Sequence, residues 1–525
     1  MTIPNPATEG AADATTSASV LRGSAWSFAA RGLPQAYVLL ISVLAARYLG
    51  PAGMGRQSYI AFVALSVTML FTGGLSVALM RFIGEALGRD EASLVRGLMR
   101  WAWAVGFGGA AIGGGALLLA AAAGADPESA WVLAGVGSSL GILHAIPTAL
   151  LIGAQRWREA SIVGLITGTL TVPAVFIVFE LGGGITGLFA VEAAVAAVNL
   201  AWTTVFARRV LNGLAKRSQR SPELRRRTAI YAAGLTVNVF LMVIVYKRSE
   251  FFFLERWSSD SEIAIYSIAF AATTALALLP EAITSTVMPA FATLFGAGQM
   301  DRLHAGFARG MRLLALSSLP VTAGMLALGP DALRLIYGDD YSGTEPVLRI
   351  MMVVFPVLPL LNVCYALMIG LGRMRALVLG NAAAAVVNIA LAVILIPPYD
   401  ARGAAVANSV AQVVVAAALI GYTRRLIGPL HPSWRSLALG LIASGAGGLA
   451  AFGVVSALGG VVGVLLGLIA GVAIFAGFAV ALRILPPQDA EWLEHVSGDR
   501  LGGSVARAAR LLSPARTGPR HDQGT

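Results

Sequence analysis

A ten-residue segment, ALLIGAQRWR at 149–158, returns 217 positions later as ALMIGLGRMR at 366–375. Six positions are identical, including the glycine and both arginines, and each copy closes one apolar run and opens the next. Shorter echoes lie at similar offsets: Tyr59 and Tyr266 are 207 apart, and Arg96-Gly97 and Arg309-Gly310 are 213 apart. A unit of about 210 residues that occurs twice in an apolar chain points to duplicated membrane-spanning halves.

Composition agrees with a membrane setting. Of the 525 residues 57% are hydrophobic and 12% charged, about half the charged share of a soluble protein. A formal charge of +11 would suit a nucleic-acid partner in a soluble chain. Beside membrane spans the same excess is what the positive-inside rule produces, so no nucleic-acid partner is expected. The single cysteine, Cys364, lies in an apolar run, which rules out an intrachain disulfide and leaves the thiol as packing. Residues 1–20 are polar, lack Lys and Arg, carry no cleavable signal pattern and read as a disordered tail.

A helix needs about twenty apolar residues to cross a bilayer. Fourteen runs meet that length, centred on 26–46, 58–79, 101–123, 131–152, 161–179, 185–206, 229–246, 263–285, 311–328, 347–369, 377–396, 404–422, 436–457 and 461–482. The expected fold is therefore an all-α polytopic membrane protein with about 14 transmembrane helices. Connections after even-numbered spans hold 22 Lys and Arg residues and those after odd-numbered spans hold 8. That split puts both termini on the cytoplasmic side, and the scarcity of lysine, only Lys216 and Lys247 among 38 basic residues, looks like a GC-rich bacterial genome and so a bacterial cytoplasmic (inner) membrane. One missed helix would invert every later loop, so the consistency supports the count.

Six spans per copy is an even number, so the two halves enter with the same orientation and their pseudo-two-fold axis should run along the membrane normal. The expected division is an N-lobe at 21–207, a basic cytoplasmic linker at 208–228, a C-lobe at 229–425, an added helix pair at 426–485 and a cytoplasmic tail at 486–525. The linker reads as a topology anchor that can also touch anionic membrane lipids. Span 14 carries Gly459, Gly463, Gly467 and Gly471 at four-residue spacing, a close-packing face for another helix. The tail, with Trp492 and Leu493, reads either as an interfacial helix or as disorder.

Several chemistries are missing. There is no GxxxxGK[ST] phosphate loop, since neither lysine, Lys216 or Lys247, follows a glycine. Gly182, Gly184 and Gly187 match GxGxxG but sit in a turn between spans, without a strand before them. Gly137 to Gly141 match GxSxG around Ser139 in mid-span, where small residues let helices approach, and His144 points about 140° away on a helix of 3.6 residues per turn. No cofactor or metal motif is found, and an enzyme is not expected.

Ionisable groups inside spans cost about 2.5–3.5 kcal/mol each at mid-membrane, so each needs water or a partner. Four sets qualify: Arg31 beside Gly32 and Pro34 in span 1; Glu192 with Asn199 seven residues on in span 6; Lys247, Arg248 and Glu250 at the end of span 7, with Arg256 a turn later; and Glu281 after Pro280 in span 8. One reading is that these charges pair across the lobes and hold the bundle together. The other is a wet, net cationic cleft suited to an anionic headgroup, because arginine grips phosphate through two parallel hydrogen bonds. Asn238, Asn362, Asn388, Asn408 and Gln412 read as interhelical hydrogen bonds.

The segments LAARYLGPAGMGRQSYIAF (44–62), FFFLERWSSDSEIAIYSIAFA (251–271) and ALRLIYGDDYSGTEPVLRIM (332–351) resemble bacterial polysaccharide-biosynthesis flippases of the O-antigen and exopolysaccharide type. These belong to the multidrug/oligosaccharidyl-lipid/polysaccharide superfamily, with lipid II flippases and multidrug extrusion transporters. The resemblance spans roughly 21–425. It implies twelve core helices in two lobes, often with an added pair, that move a polyprenyl-pyrophosphate-linked oligosaccharide to the outer leaflet by alternating access. It also implies cavity-facing basic residues on spans 1 and 7, here Arg31 and Lys247/Arg248. Where relatives often carry an aspartate just before a basic residue in span 7, this chain has Arg248-Ser249-Glu250. Expected partners are the lipid-linked oligosaccharide, membrane lipids, a coupling proton or sodium ion, and a polysaccharide polymerase and glycosyltransferases. A cation-coupled drug antiporter and a lipid II flippase are the alternatives, with a membrane scaffold for polysaccharide synthesis behind them.

Overall fold

The computed structural model describes the backbone of residues 6–89, 91–214, 221–246, 249–430, 433–496 and 510–513, and their side chains except at 6–34, 244–246, 278–290, 292 and 492–496. The described backbone is helical apart from short turns, as the bilayer demands: only helices satisfy every N–H and C=O within one crossing segment. The helices are α1 (Pro6–Gly88), α2 (Ala92–Ala122), α3 (Glu128–Gly153), α4 (Trp157–Glu180), α5 (Gly184–Gly213), α6 (Pro222–Tyr246), α7 (Glu250–Trp257), α8 (Asp260–Gly296), α9 (Met300–Tyr337), α10 (Thr344–Val354), α11 (Val357–Gly370), α12 (Met374–Ile427), α13 (Trp434–Leu458), α14 (Gly460–Leu482) and α15 (Pro487–Val496).

Two of them hold two spans each. α1 breaks at Gly50 (φ 67°, ψ 178°) and α12 at Asp400 (φ 49°, ψ −129°), between the expected spans 1 and 2 and spans 11 and 12. α10 and α11 form one span bent by 47°. About 14 crossing segments result, in the expected order. α1 begins at Pro6, inside the segment that composition assigns to a tail; Ala7, Ala11, Ala12, Ala14 and Ala18 supply helix propensity there.

Two compact units divide the chain after Phe251. The sequence boundary at 208–228 lies earlier, and the difference is α6, which packs along α1. A Cβ added at Gly74 would lie 2.2 Å from the Ala232 carbonyl oxygen and 2.3 Å from Thr236 Oγ1, so the two backbones touch. Lower on the same seam Phe82 meets Tyr231 edge-on at 5.9 Å. α2 and α3 approach as closely: a Cβ on Gly114 would sit 2.9 Å from the Gly135 carbonyl. Ser139 follows from that approach. Its hydroxyl donates to Gly135 O at 2.9 Å and to Ala110 O across the seam at 3.2 Å, and so acts as packing polarity rather than as a nucleophile.

In the second unit α9, α13 and α14 share a glycine-lined seam. Gly440 faces Leu316 and Gly448 faces Ala323, so α13 runs parallel to α9. Gly463, Gly467 and Gly471 of α14 face Val455, Ala451 and Gly447, which makes α14 antiparallel to α13 and bears out three of the four glycines of the expected face; Gly459 instead caps α13 in the turn, at φ 61°. The outer sides stay apolar and uncovered. Leu449, Phe452, Ile469 and Val472 are each more than half exposed, the surface of a helix pair that meets acyl chains.

The internal repeat reappears as backbone geometry. α3 ends with Ala154, Gln155 and Arg156 donating to Leu150, Ile152 and Leu151; α11 ends with Leu371, Gly372 and Arg373 donating to Leu367, Ile369 and Met368. Every partner is shifted by the same 217 positions. The middle residue is left-handed in both, Gln155 at φ 60° and Gly372 at φ 67°. Each arginine then stands at the cap of the next helix.

Glycine pays no Cβ penalty in that conformation, whereas another residue pays about 1–2 kcal/mol. Gln155→Gly is therefore expected to raise the unfolding temperature in detergent and Gly372→Gln to lower it. In the same assay Gly74→Leu should cost about 1–3 kcal/mol through overpacking, while Gly115→Ala, whose Cβ would meet nothing within 4 Å, should be silent.

Candidate functional site

The charged residues singled out in the sequence fall on four elements. Arg31 lies on α1 and Glu281 on α8, both with side chains outside the described set. Lys247 and Arg248 lie outside the described residues, between α6 and α7. Glu250 opens α7, the short helix that follows. Glu250 is 0% exposed, with Ser249 and Phe251 buried on either side. It lies in the first turn, at the positive end of the helix, and exposed Arg256 complements the last turn. Phe251 meets the Phe62 ring of α1 edge-on at 5.3 Å, which seats this end of α7 beside the second half of α1. Phe253 and Trp257 stack at 5.7 Å along α7.

Glu192 sits partly buried on α5, one residue from the place where Ala193 faces Gly137 of α3. Among the described residues no ion pair involves it. Asn199, two turns further along the same face, accepts a hydrogen bond from Thr167 of α4 at 2.9 Å, and Thr203 donates to the Asn199 backbone carbonyl at 2.6 Å. Tyr37 of α1 shares a 2.7 Å hydrogen bond with Thr169 on α4. Ser138 donates to Ala64 O at 3.3 Å, and His144 pairs with Thr148 one turn on at 3.2 Å. The first unit thus carries polar contacts between α1 and α4, α4 and α5, and α3 and α1, with the Tyr48 hydroxyl of α1 also donating to Glu180 of α4.

Of the amides expected to bond between helices, Asn408 accepts from Gln412 at 2.5 Å and Asn238 donates to Met242 Sδ at 3.7 Å, each within its own helix. Four-residue spacing on a helix makes these partners neighbours. Asn381, which the sequence did not single out, bonds to another helix through the Tyr365 hydroxyl of α11.

One constellation escaped the sequence reading because its members are 142 positions apart. The Ser258 hydroxyl donates to Asp400 Oδ1 at 2.6 Å, and the Ala401 N–H donates to Glu262 Oε2 at 3.2 Å. These bonds pin the break in α12 to the start of α8. Outside the spans, in the connection after α9, burial holds the Tyr341 phenol above its ordinary value, with Asp340 and Tyr337 adding to the effect.

These elements define the class: a polytopic helical membrane protein with small-residue helix seams and ionisable groups within its spans. Comparison with known proteins places the fold. Residues 235–394, less than a third of the chain, match the family model described as MatE. No curated protein matches. Among solved structures the chain is similar to a lipid II flippase, MurJ, in an inward closed conformation, with TM-score 0.63 and 13% identity over 86% of this chain and 97% of that one. An inward-facing multidrug resistance MATE family transporter of the MOP superfamily gives 0.60 and 16% over 75% and 94%. A MOP superfamily transporter from Pyrococcus furiosus, described by the reverse polarity of its binding pocket, gives 0.53 and 14% over 76% and 96%. The chain therefore has the fold seen in MurJ and MATE transporters.

Asp400 holds strained backbone and a charge-assisted hydrogen bond at once. Asp400→Gly loses a bond worth about 1.5–3 kcal/mol but relieves strain of about 1–3 kcal/mol. Asp400→Ala loses the bond and keeps the strain. Thermal unfolding is expected to rank the alanine variant clearly below the glycine variant, and equal stabilities would show that the side-chain bond alone matters.

Proposed function

We propose that this protein is a flippase for a polyprenyl-diphosphate-linked oligosaccharide, moving it from the cytoplasmic to the outer leaflet of a bacterial inner membrane by alternating access, without hydrolysing ATP itself. The observation that carries this reading is the excess of basic over acidic candidates at the end of span 7 together with Arg31 in span 1. An apolar carrier with a doubly charged diphosphate needs cations that shelter that charge from lipid, and guanidinium is the residue chemistry that does so bidentately.

In this reading Arg31 and Arg248, with Lys247 beside them, engage the diphosphate. Glu250 or Glu281 takes up and releases a coupling proton or sodium ion, with Glu192 and Arg256 as further residues of the substrate site. The two lobes are like-oriented around the membrane normal, with both termini cytoplasmic, and glycosyltransferases and a polymerase act before and after transport. A cation-coupled drug antiporter is the second reading, favoured by the MatE match at 235–394. It would draw on acidic groups more than on Arg31, Lys247 and Arg248. A flippase for lipid II differs only in the glycan carried.

In the native strain, Arg31→Ala and Arg248→Ala are each expected to abolish surface glycan while membrane levels of the protein stay normal. Arg209→Ala, in the basic linker, should leave export unchanged. Full export from both spans' variants would sink the assignment, and restored drug sensitivity in a deletion strain with normal glycan would favour the antiporter.

A further inference from the structure

The second unit holds an arginine fork that the proposed transport cycle does not use. Asp489, in the first turn of α15, is 0% exposed and receives three guanidinium hydrogen bonds. Arg312 binds it side-on, Nε to Oδ2 at 2.5 Å and Nη2 to Oδ1 at 2.6 Å, and Arg309 Nε reaches Oδ1 at 3.1 Å. Arg312 Nη1 also donates to Ser433 Oγ at 3.0 Å, the residue that caps α13. Arg309 and Arg312 are three apart on α9 and so share a face. Their side chains are 23% and 14% exposed. Three donors from two guanidinium planes converging on one carboxylate, with a hydroxyl at the edge, is the geometry that also grips phosphate oxygens.

Among the described side chains, Asp489 ties α15 to α9 through these bonds. The apolar contact described beneath it consists of buried Leu316, Leu485 and Ala490, with Leu313, Leu437 and Leu512 around them. One backbone bond, Leu485 N to Leu512 O at 2.9 Å, ties the segment to 510–513. Removing the carboxylate from the largely desolvated Arg312 guanidinium leaves it wanting another anion, because an uncompensated buried charge is far more costly than a paired one. A tethered group competes at an effective concentration of about millimolar. A ligand with more charge and more oxygens than one carboxylate can therefore displace it in that range.

We propose that Arg309, Arg312 and Ser433 form a binding site for a phosphate or diphosphate group, that Asp489 fills it as a built-in competitor, and that α15 undocks when such a ligand enters. The site lies at the end of the second unit where α9 and α13 begin and α14 ends, and nothing in it depends on which substrate the protein carries. The phosphate can belong to a soluble diphosphate or to an anionic lipid headgroup.

The test uses the full-length wild-type protein and hydrogen–deuterium exchange at the Leu485, Asp489 and Ala490 amides, which donate to Leu512 and Pro486 carbonyls in the docked state. One arm adds inorganic pyrophosphate up to about 20 mM in detergent, against chloride of matched ionic strength. The other compares nanodiscs of phosphatidylcholine with and without phosphatidic acid. Exchange at these amides is expected to rise at least several-fold in one arm or both, and the responding arm identifies the source of the phosphate. In parallel, Asp489→Asn should bind pyrophosphate about tenfold more tightly by calorimetry, and adding Arg312→Gln should erase that gain. Unchanged exchange in both arms, or an equal rise in chloride, overturns the proposal. If Asp489→Asn does not fold, the wild-type exchange decides alone; if it folds and binds pyrophosphate no better than wild type, the site does not exist.

Discussion

Lipid offers a peptide bond nothing to bond with, and that constraint shapes this chain more than any side chain does. Each backbone group inside the hydrocarbon must find its partner within the same helix, so the sequence is read as runs of about twenty apolar residues separated by turns that close within a few residues. The two turns around Arg156 and Arg373 show how tightly this is specified. The same three amide-to-carbonyl bonds and the same left-handed residue recur 217 positions apart, although the residue at the left-handed position is glutamine in one copy and glycine in the other. Backbone bonding fixes the turn, and the side chain accommodates it at a cost.

With no hydrophobic force between helices in lipid, packing contact takes over, and glycine is its currency. Gly74 lets α1 meet α6, Gly114 lets α2 meet α3, and the α14 glycines let that helix lie against α13. Ser139 illustrates the consequence for function. A pattern that in a soluble fold would present a nucleophile is here a hydroxyl bonded to two backbone carbonyls in a helix seam. Local residue patterns acquire meaning only from the solvent in which the element sits.

That dependence explains what was legible beforehand. Span number and order, the duplication, and the glycine face of α14 all follow from period and spacing along one segment, and the structure carries each of them. The Ser258–Asp400 bond, the Ala401–Glu262 bond and the Asp489 fork were not legible, because each joins residues more than a hundred positions apart and only packing brings them together. Arg309 entered the sequence reading as an echo of the internal repeat, and both arginines as positive charge that orients loops. The bond that Asn408 accepts from Gln412, one turn away on its own helix, was not foreseen. For the candidate site, Glu250 proves to be fully buried at a helix start, which the charged cluster at the end of span 7 did not foretell.

The functional account comes down to moving a diphosphate-bearing lipid through a low-dielectric barrier with arginine as the counter-charge. Reconstitution of the purified protein into liposomes with a fluorescent polyprenyl-diphosphate oligosaccharide, quenched from outside by a membrane-impermeant reductant, measures that movement directly. Wild-type protein without ATP should expose the internal pool of the labelled lipid to the reductant. An internal pool that stays protected, in vesicles where the same protein exchanges a cationic drug for protons, would contradict the account.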